Sequence, residues 1–310
     1  MKMGRQKLFS LSVLTTIFVL SACTSQKFDQ PMKLGGQWVS SDTLNVGYDT
    51  YNAYCMQCHG MEGDGAGPAA QGSMPLPRNF KLGVFKFASV SSGELPTDAD
   101  LIRTIRYGLR GTPMLPWDIS DERLNAVVQY IKTFSPVWKE EIPGVPQKTT
   151  PDPWGIEKAS EAIAHGKKIY HGFAQCFTCH PSYASIQEIS EYSKEMTGNA
   201  TTSIRENAHL STLLDSSHGM KIMPPDFTKN FIRTSGEIET TYRILGTGIG
   251  GTAMPAWKDM LSPSGDPAES EKNLWAVAYY VNSLHQLKYD ITKRKAFFDE
   301  LEAKRSSMAR

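Results

Sequence analysis

The pentapeptide Cys55-Met56-Gln57-Cys58-His59 recurs as Cys176-Phe177-Thr178-Cys179-His180, and no other feature so restricts what this chain can fold into. Each copy reads Cys-x-x-Cys-His, which sets two thiols and an imidazole on one short turn. The sequence around the two copies repeats as well. Gly111 to Trp117 (Gly-Thr-Pro-Met-Leu-Pro-Trp) is matched by Gly251 to Trp257 (Gly-Thr-Ala-Met-Pro-Ala-Trp), Arg78-Asn79-Phe80 by Pro225-Asp226-Phe227, and Leu124 to Ile131 by Leu274 to Val281. Tyr242 to Gly246 answers Thr104 to Gly108 more loosely. Self-similarity in this order predicts two successive units built alike.

The chemistry of the repeated turn narrows the cofactor. Two cysteines separated by two residues reach the two vinyl-derived carbons on one edge of a haem, and the histidine that follows lies under the iron. This is the attachment signature of a c-type haem. A zinc site closed by both cysteine pairs, or a redox-active dithiol, would use the same thiols. Neither needs a histidine directly after each pair, and zinc ribbons bring their pairs much closer in sequence than Cys58 and Cys176. The reading is two covalent haem c groups, held by Cys55 and Cys58 and by Cys176 and Cys179, with His59 and His180 as iron ligands.

Cysteine usage also bears on the N-terminus. Lys2, Arg5 and Lys7 precede an apolar run from Leu8 to Leu20, short for a membrane span, and Leu20-Ser21-Ala22-Cys23 follows. The pattern predicts a lipoprotein signal peptide over 1–22, whose removal leaves Cys23 as a lipid-bearing N-terminus. An uncleaved anchor with an incidental cysteine is the alternative. Four thiols go to the haems and Cys23 is the fifth cysteine of the chain, so none is left over. Loss of the leader takes the net charge from +1 to about −2. That balance offers no basic face to nucleic acid, and 40% hydrophobic with 21% charged residues is a soluble globular composition.

Along the chain, 23–45 is polar with Gly35-Gly36 and reads as a lipid-anchored tether, or as a segment folded back with Trp38 docking. The first unit is expected over 46–136. Gly47, Tyr48, Tyr51 and Tyr54 share one helical face leading into the first motif. A glycine-rich loop from Gly60 to Pro68 lets backbone pass close to a flat cofactor. A short helix around Leu101 to Tyr107 has Asp98 or Asp100 to cap it, and a last helix from about Asp121 buries Leu124, Val127, Val128, Ile131 and Phe134. Five prolines between Pro136 and Pro153 mark 137–160 as an extended linker. The second unit is expected over 161–287, with extra loops near 185–221 and 261–271 read as surface decoration or as places where partners and substrates are met. His165 and His171 are placed on its surface. Residues 288–310 form a charged, helix-prone tail that packs on its own protein, frays or meets a partner.

One axial position of each iron remains to be filled. Met114 and Met254 stand in Gly-Thr-x-Met segments at equivalent places in both repeats, and an irregular segment of that kind can lay a thioether over a haem face. Met74, Met220, Met223, His209 and His218, all in long loops, are competitors.

The order of helix, Cys-x-x-Cys-His, glycine-rich loop, methionine segment and aromatic C-terminal helix resembles the class I c-type cytochromes, twice in tandem. The resemblance covers about Val46 to Phe134 and Gly166 to Leu284. It implies an all-α fold, two small helical bundles each around a covalent haem, with first and last helices crossing. Tyr51 or Tyr54 should then meet the Tyr130 region, and Tyr170 the Tyr280 region. The family often holds the proximal histidine with a proline carbonyl, which assigns Pro68 in the first unit, whereas the second has Pro181 directly after its histidine. Arg78 and Arg106 are candidates to pair with propionates.

The function implied is electron transfer, not catalysis. Both axial positions are filled and a thioether stabilises ferrous iron. The partners expected are redox proteins such as a respiratory complex, an oxidase or a periplasmic oxidoreductase. The location expected is the bacterial cell envelope, on the extracytoplasmic side of a membrane, held by the lipid on Cys23. The rival is a dihaem enzyme, a peroxidase or a sulfur-compound oxidoreductase with one open iron, which the second-unit loop carrying His209 and His218 would serve.

Overall fold

A computed structural model describes residues 27–234 and 236–306. The expected signal peptide and Cys23 lie outside the described residues. Apart from one two-stranded hairpin the described chain is helical and irregular, the all-α class that the sequence predicts. Among the described residues no helix is long and apolar enough to cross a membrane.

The hairpin pairs β1 (Met32–Leu34) with antiparallel β2 (Gln37–Val39), Leu34 opposite Gln37. Its turn is Gly35-Gly36, with φ of 57° and 83°, values that an L side chain would strain. Helix α1 (Ser41–Tyr54) starts on the Ser40 hydroxyl, which accepts from the Thr43 N–H, and α2 (Met56–His59) is the single turn of the first motif. Helix α3 (Asp98–Tyr107) is capped by Thr97, with Asp100 returning the bond; the aspartates expected as caps sit inside the first turn instead. Helix α4 (Asp121–Lys132) crosses α1, and a turn α5 (Val137–Glu140) follows. The crossing is close because Gly47 has no side chain: a Cβ there would lie 2.3 Å from the Ala126 carbonyl oxygen. Around it Leu44, Tyr51, Leu124, Val127 and Tyr130 are buried.

The second unit repeats this with additions. Helix α6 (Ala159–Lys168) runs into a π turn at Ile169–Phe173. Helices α7 (Ile186–Thr197), α8 (Ile238–Thr247), α9 (Pro267–Gln286) and α10 (Ile291–Ser306) complete it. Gly166 plays the part of Gly47, since a Cβ on it would lie 2.0 Å from the Ala276 carbonyl oxygen. The expected aromatic contacts form: Tyr51 meets Tyr130 with ring centroids 5.3 Å apart, and Tyr170 meets Tyr280 at 5.5 Å.

Several boundaries move. Residues 27–45 are folded where a tether was expected, because Leu34 and Val39 bury their side chains in the first core and Gly35 N–H donates to the Trp138 carbonyl at 2.6 Å. The tryptophan that docks is Trp138, fully buried, whereas Trp38 is 73% exposed. The expected linker is likewise tied down. Gly144 donates to the Leu95 carbonyl and Gln147 to that of Ser89, then Thr150 meets Tyr242 and Asp152 accepts from Tyr279. Residues of the expected tail form α10, which buries Leu301 and lays Phe297 on the second core.

The two units meet through reciprocal contacts. Arg110 N–H donates to the Arg233 carbonyl at 2.8 Å, and Gly250 N–H donates to the Lys86 carbonyl at 3.1 Å. Arg110 and Gly250 both precede the glycine of the Gly-Thr-x-Met segment, and Lys86 and Arg233 both lie six residues beyond the repeated phenylalanine. A Cβ on Gly111 would meet Phe231 at 2.7 Å, and one on Gly251 would meet Val84 at 2.8 Å, again equivalent positions. The same surfaces touch in both directions, as an approximate two-fold axis requires.

Candidate functional site

Each Cys-x-x-Cys-His stretch forms one tight turn at the end of its leading helix. His59 N–H donates to the Cys55 carbonyl and His180 N–H to that of Cys176, both at 2.9 Å, and Cys58 and Cys179 repeat a 3.2 Å bond to the same carbonyls. None of the four cysteines is in a disulfide. Burial, then the neighbouring thiol, pushes Cys55 and Cys176 up to about 12. Such thiols stay protonated at neutral pH, the reverse of the electropositive setting that activates a dithiol. Among the described residues no three His, Cys, Asp or Glu side chains gather as a metal cluster, so the two cysteine pairs do not converge on one zinc site.

Both histidines are oriented alike. His59 Nδ1 is 3.0 Å from the Arg78 carbonyl and His180 Nδ1 is 3.0 Å from the Pro225 carbonyl. Burial lowers both, His180 to about 4, so each imidazole is neutral and donates through Nδ1. The Nε2 lone pair, without a hydrogen bond among the described residues, is left for a metal. The carbonyl expected from Pro68 comes instead from Arg78, and in the second unit, where the sequence offered no counterpart, it comes from Pro225. The residue beside the histidine cannot reach back to it, but the segment before the repeated phenylalanine can. Phe80 and Phe227 then stack on the two imidazoles at 4.5 and 4.7 Å.

The methionine segments repeat bond for bond. Leu109 N–H donates to the Met114 carbonyl and Ile249 N–H to that of Met254. Met114 and Met254 each donate at 3.1 Å to the hydroxyl of the threonine two residues before. Thr112 and Thr252 in turn donate at 2.8 Å to the carbonyls of Leu109 and Ile249. Trp117 and Trp257 anchor the exits on the Ile105 and Leu245 carbonyls. These bonds correct the looser alignment: Leu245 answers Ile105, and Gly248 answers Gly108, each with positive φ and extended ψ. Met114 and Met254 lie half-buried against their respective cores. Among the competing ligands, Met74 and Met223 are 83% and 65% exposed, and His209 is exposed. His218 has both nitrogens engaged, by the Arg78 guanidinium and the Gly250 carbonyl.

The second unit differs beneath its histidine. In the first, the glycine-rich loop folds back so that Gly65 donates to the His59 carbonyl and Gly67 to that of Cys58. The second has no such loop. Arg205 takes its place, its guanidinium donating to the carbonyls of Phe177 and His180, both at 3.2 Å, and of Leu210, while Thr212 donates to Cys179. The insertion read as decoration is therefore part of the site. Tyr51 donates to the Gly60 carbonyl and Tyr170 to the Pro181 carbonyl, the residue after each histidine. The π turn absorbs the longer spacing from Tyr170 to Cys176. His171, expected on the surface, is fully buried there, taking the Tyr183 N–H on Nε2 and meeting the Lys167 carbonyl through Nδ1.

The donor sets fit covalent haem twice over: two thiols outside any disulfide, a neutral imidazole fixed through Nδ1, and a thioether on a hydrogen-bonded loop. A family model described as cytochrome c oxidase, cbb3-type, subunit III, matches residues 42–131. Among solved structures, a chain of the Kuenenia stuttgartiensis reducing HAO-like protein complex Kustc0457/Kustc0458 is 31% identical, with a TM-score of 0.61, over 77% of this chain and 95% of that one. No curated protein matches.

Proposed function

We propose that this chain, which belongs to the c-type cytochromes, is a dihaem electron carrier tethered by a lipid on Cys23 to the extracytoplasmic side of a membrane. Bound there, a haem supplies a one-electron ferric–ferrous couple. The chain's own residues do the rest. Cys55, Cys58, Cys176 and Cys179 hold the two groups by thioether bonds. His59 and Met114 would hold one iron, and His180 and Met254 the other. With imidazole and thioether both bound, such an iron would have no position for substrate, and a thioether would favour the ferrous state. The Arg78 and Pro225 carbonyls would hold the two imidazoles in one orientation in either oxidation state.

The observation that carries this reading is the bond-for-bond identity of the two methionine loops. An enzyme with one open iron would be expected to differ there. His218, one of the two extra histidines of the rival dihaem enzyme, is held through both ring nitrogens, which supports the carrier. The relative of known structure is one chain of a complex named for two proteins, which supports a protein redox partner for this chain. An HAO-like protein or a respiratory complex outside the cytoplasm is the partner we favour.

Optical spectra of the purified protein in both oxidation states, with and without carbon monoxide, test the reading. Two low-spin haems per chain, methionine–iron absorption and no carbon monoxide binding are expected. One haem that binds carbon monoxide readily would overturn the carrier and send the search to peroxide and sulfur substrates.

A further inference from the structure

At the junction between the units Arg78, Lys86 and Arg233 lie close enough for the two guanidiniums to act on the Lys86 ammonium. Arg78 lies next to the first histidine through its carbonyl and donates from Nη1 to Nδ1 of His218. His218 belongs to the second unit and reaches the Gly250 carbonyl through Nε2. Gly250 N–H in turn binds the Lys86 carbonyl, and on the other side of the two-fold Arg110 binds that of Arg233. Among the described residues, none of Arg78, Lys86 and Arg233 has an ion-pair partner. Nη1 of Arg233 and Oγ1 of Thr234 are buried without a hydrogen bond.

A buried guanidinium nitrogen without an acceptor is costly, and like charges held together add to that cost. The Lys86 ammonium shows the strain. Burial, together with the guanidiniums of Arg78 and Arg233, pulls it down to about 8. Burial brings Arg78 down to about 10 and lowers Arg233. A protein tolerates such a group of cations where an anion completes it. Lys86 and Arg233 are equivalent positions of the two repeats, so whatever anion one meets in its unit, the other meets in its own. The reciprocal backbone bonds bring both to one junction.

We propose that Lys86 and Arg233, with Arg78, form one shared carboxylate site across the junction, and that the carboxylate arms of both haems complete it. Each repeat then lends positive charge to the cofactor of the other, and the two redox centres are coupled electrostatically through residues of both units. The inference rests on the carrier reading above. The same cations could instead hold a free anion from solution, and the experiment separates the two sources.

Lys86→Met, Arg233→Met and the double variant are compared with Lys86→Arg and Arg233→Lys. Haem per chain is counted first, and both midpoint potentials are then read by spectroelectrochemical titration at constant ionic strength, in chloride and in phosphate. The expected result is two haems in every variant, both potentials lowered by either methionine substitution, and restoration by the charge-conserving ones. Loss of a nearby cation favours the ferric state, which sets the sign. No dependence on phosphate is expected. Potentials that stay put, or a shift confined to the haem of the substituted unit, would overturn the shared site. A wild-type potential that follows phosphate while the variants do not would assign the site to a solution anion. Fewer than two haems in the wild type would refute the carrier reading itself, an outcome distinct from all of these.

Discussion

Nδ1 of His180 lies 3.0 Å from the carbonyl oxygen of Pro225, 45 residues further along the chain. The acceptor is main chain, so no side-chain change deletes it, but its support can be altered. The Tyr183 hydroxyl accepts from the Phe227 N–H at 2.8 Å and donates to Asp226 Oδ1 at 3.1 Å, and it is buried. This one hydroxyl holds the segment that orients the second imidazole. The first unit makes the equivalent bond, His59 to Arg78, over a span of 19 residues and without such a tyrosine.

Tyr183→Phe removes that support. The Phe227 N–H loses its partner, which costs about 1–3 kcal/mol for a buried donor. Asp226 keeps its bonds from the Thr228 N–H and hydroxyl. The expected outcome is a lower melting transition for the second unit and a changed potential for one haem only. Calorimetry and a redox titration read both, and two unmoved potentials would remove Tyr183 from the site.

The axial assignments give a sharper outcome. Met114→Ala and Met254→Ala should each convert one low-spin haem into a form that binds carbon monoxide and leave the other untouched. The double variant should lose the methionine–iron band altogether. If that band survives both changes, another residue supplies the sixth ligand.

What the sequence made legible follows from what repeats. The motifs, the helices that carry them, the Gly47 and Gly166 faces and the methionine loops recur, and the structure builds them twice. The Arg78-Asn79-Phe80 and Pro225-Asp226-Phe227 match already marked the segment that reaches the histidines, although main-chain carbonyls leave no residue signature and Pro68 drew the assignment in the first unit. Arg205 was illegible because it does for the His180 carbonyl by side chain what Gly65 does for that of His59 by backbone, so no letters correspond. Residues 27–45 read as a tether because Leu34 and Val39 are sparse among polar neighbours, and the core they join includes residues as distant as Trp138.

His171 predicts a pH dependence. It is fully buried, faces Lys167 and Glu188, and burial holds it down to about 3 from an ordinary 6.5. Between those values the unfolded chain takes up a proton that the folded one refuses. Its contribution is therefore complete above about pH 6.5 and is lost as pH falls toward 3. The full span corresponds to roughly 5 kcal/mol. The second unit should show the steeper fall in melting temperature between pH 6.5 and 4, and His171→Gln should flatten that fall. Equal slopes in variant and wild type would assign the acid sensitivity elsewhere.

The helix crossings provide the last test, because two opposing effects can be weighed. Gly→Ala inside a helix ordinarily gains up to about 1 kcal/mol of propensity. In α8, Gly246 is such a place, since an added Cβ would meet the ends of Gln147 and Leu274 side chains at 3.2 and 3.4 Å. At Gly47 and Gly166 the added carbon would instead lie 2.3 and 2.0 Å from a backbone carbonyl oxygen. Main chain cannot rotate away, so the helices must part, at a cost of about 1–3 kcal/mol or more that outweighs the propensity gain. Gly246→Ala should thus leave the melting profile nearly unchanged, Gly47→Ala should lower the first unit's transition and Gly166→Ala the second's. Calorimetry of the three variants reads this directly. Should Gly166→Ala melt with the wild type, α6 and α9 do not touch as closely as the glycine implies.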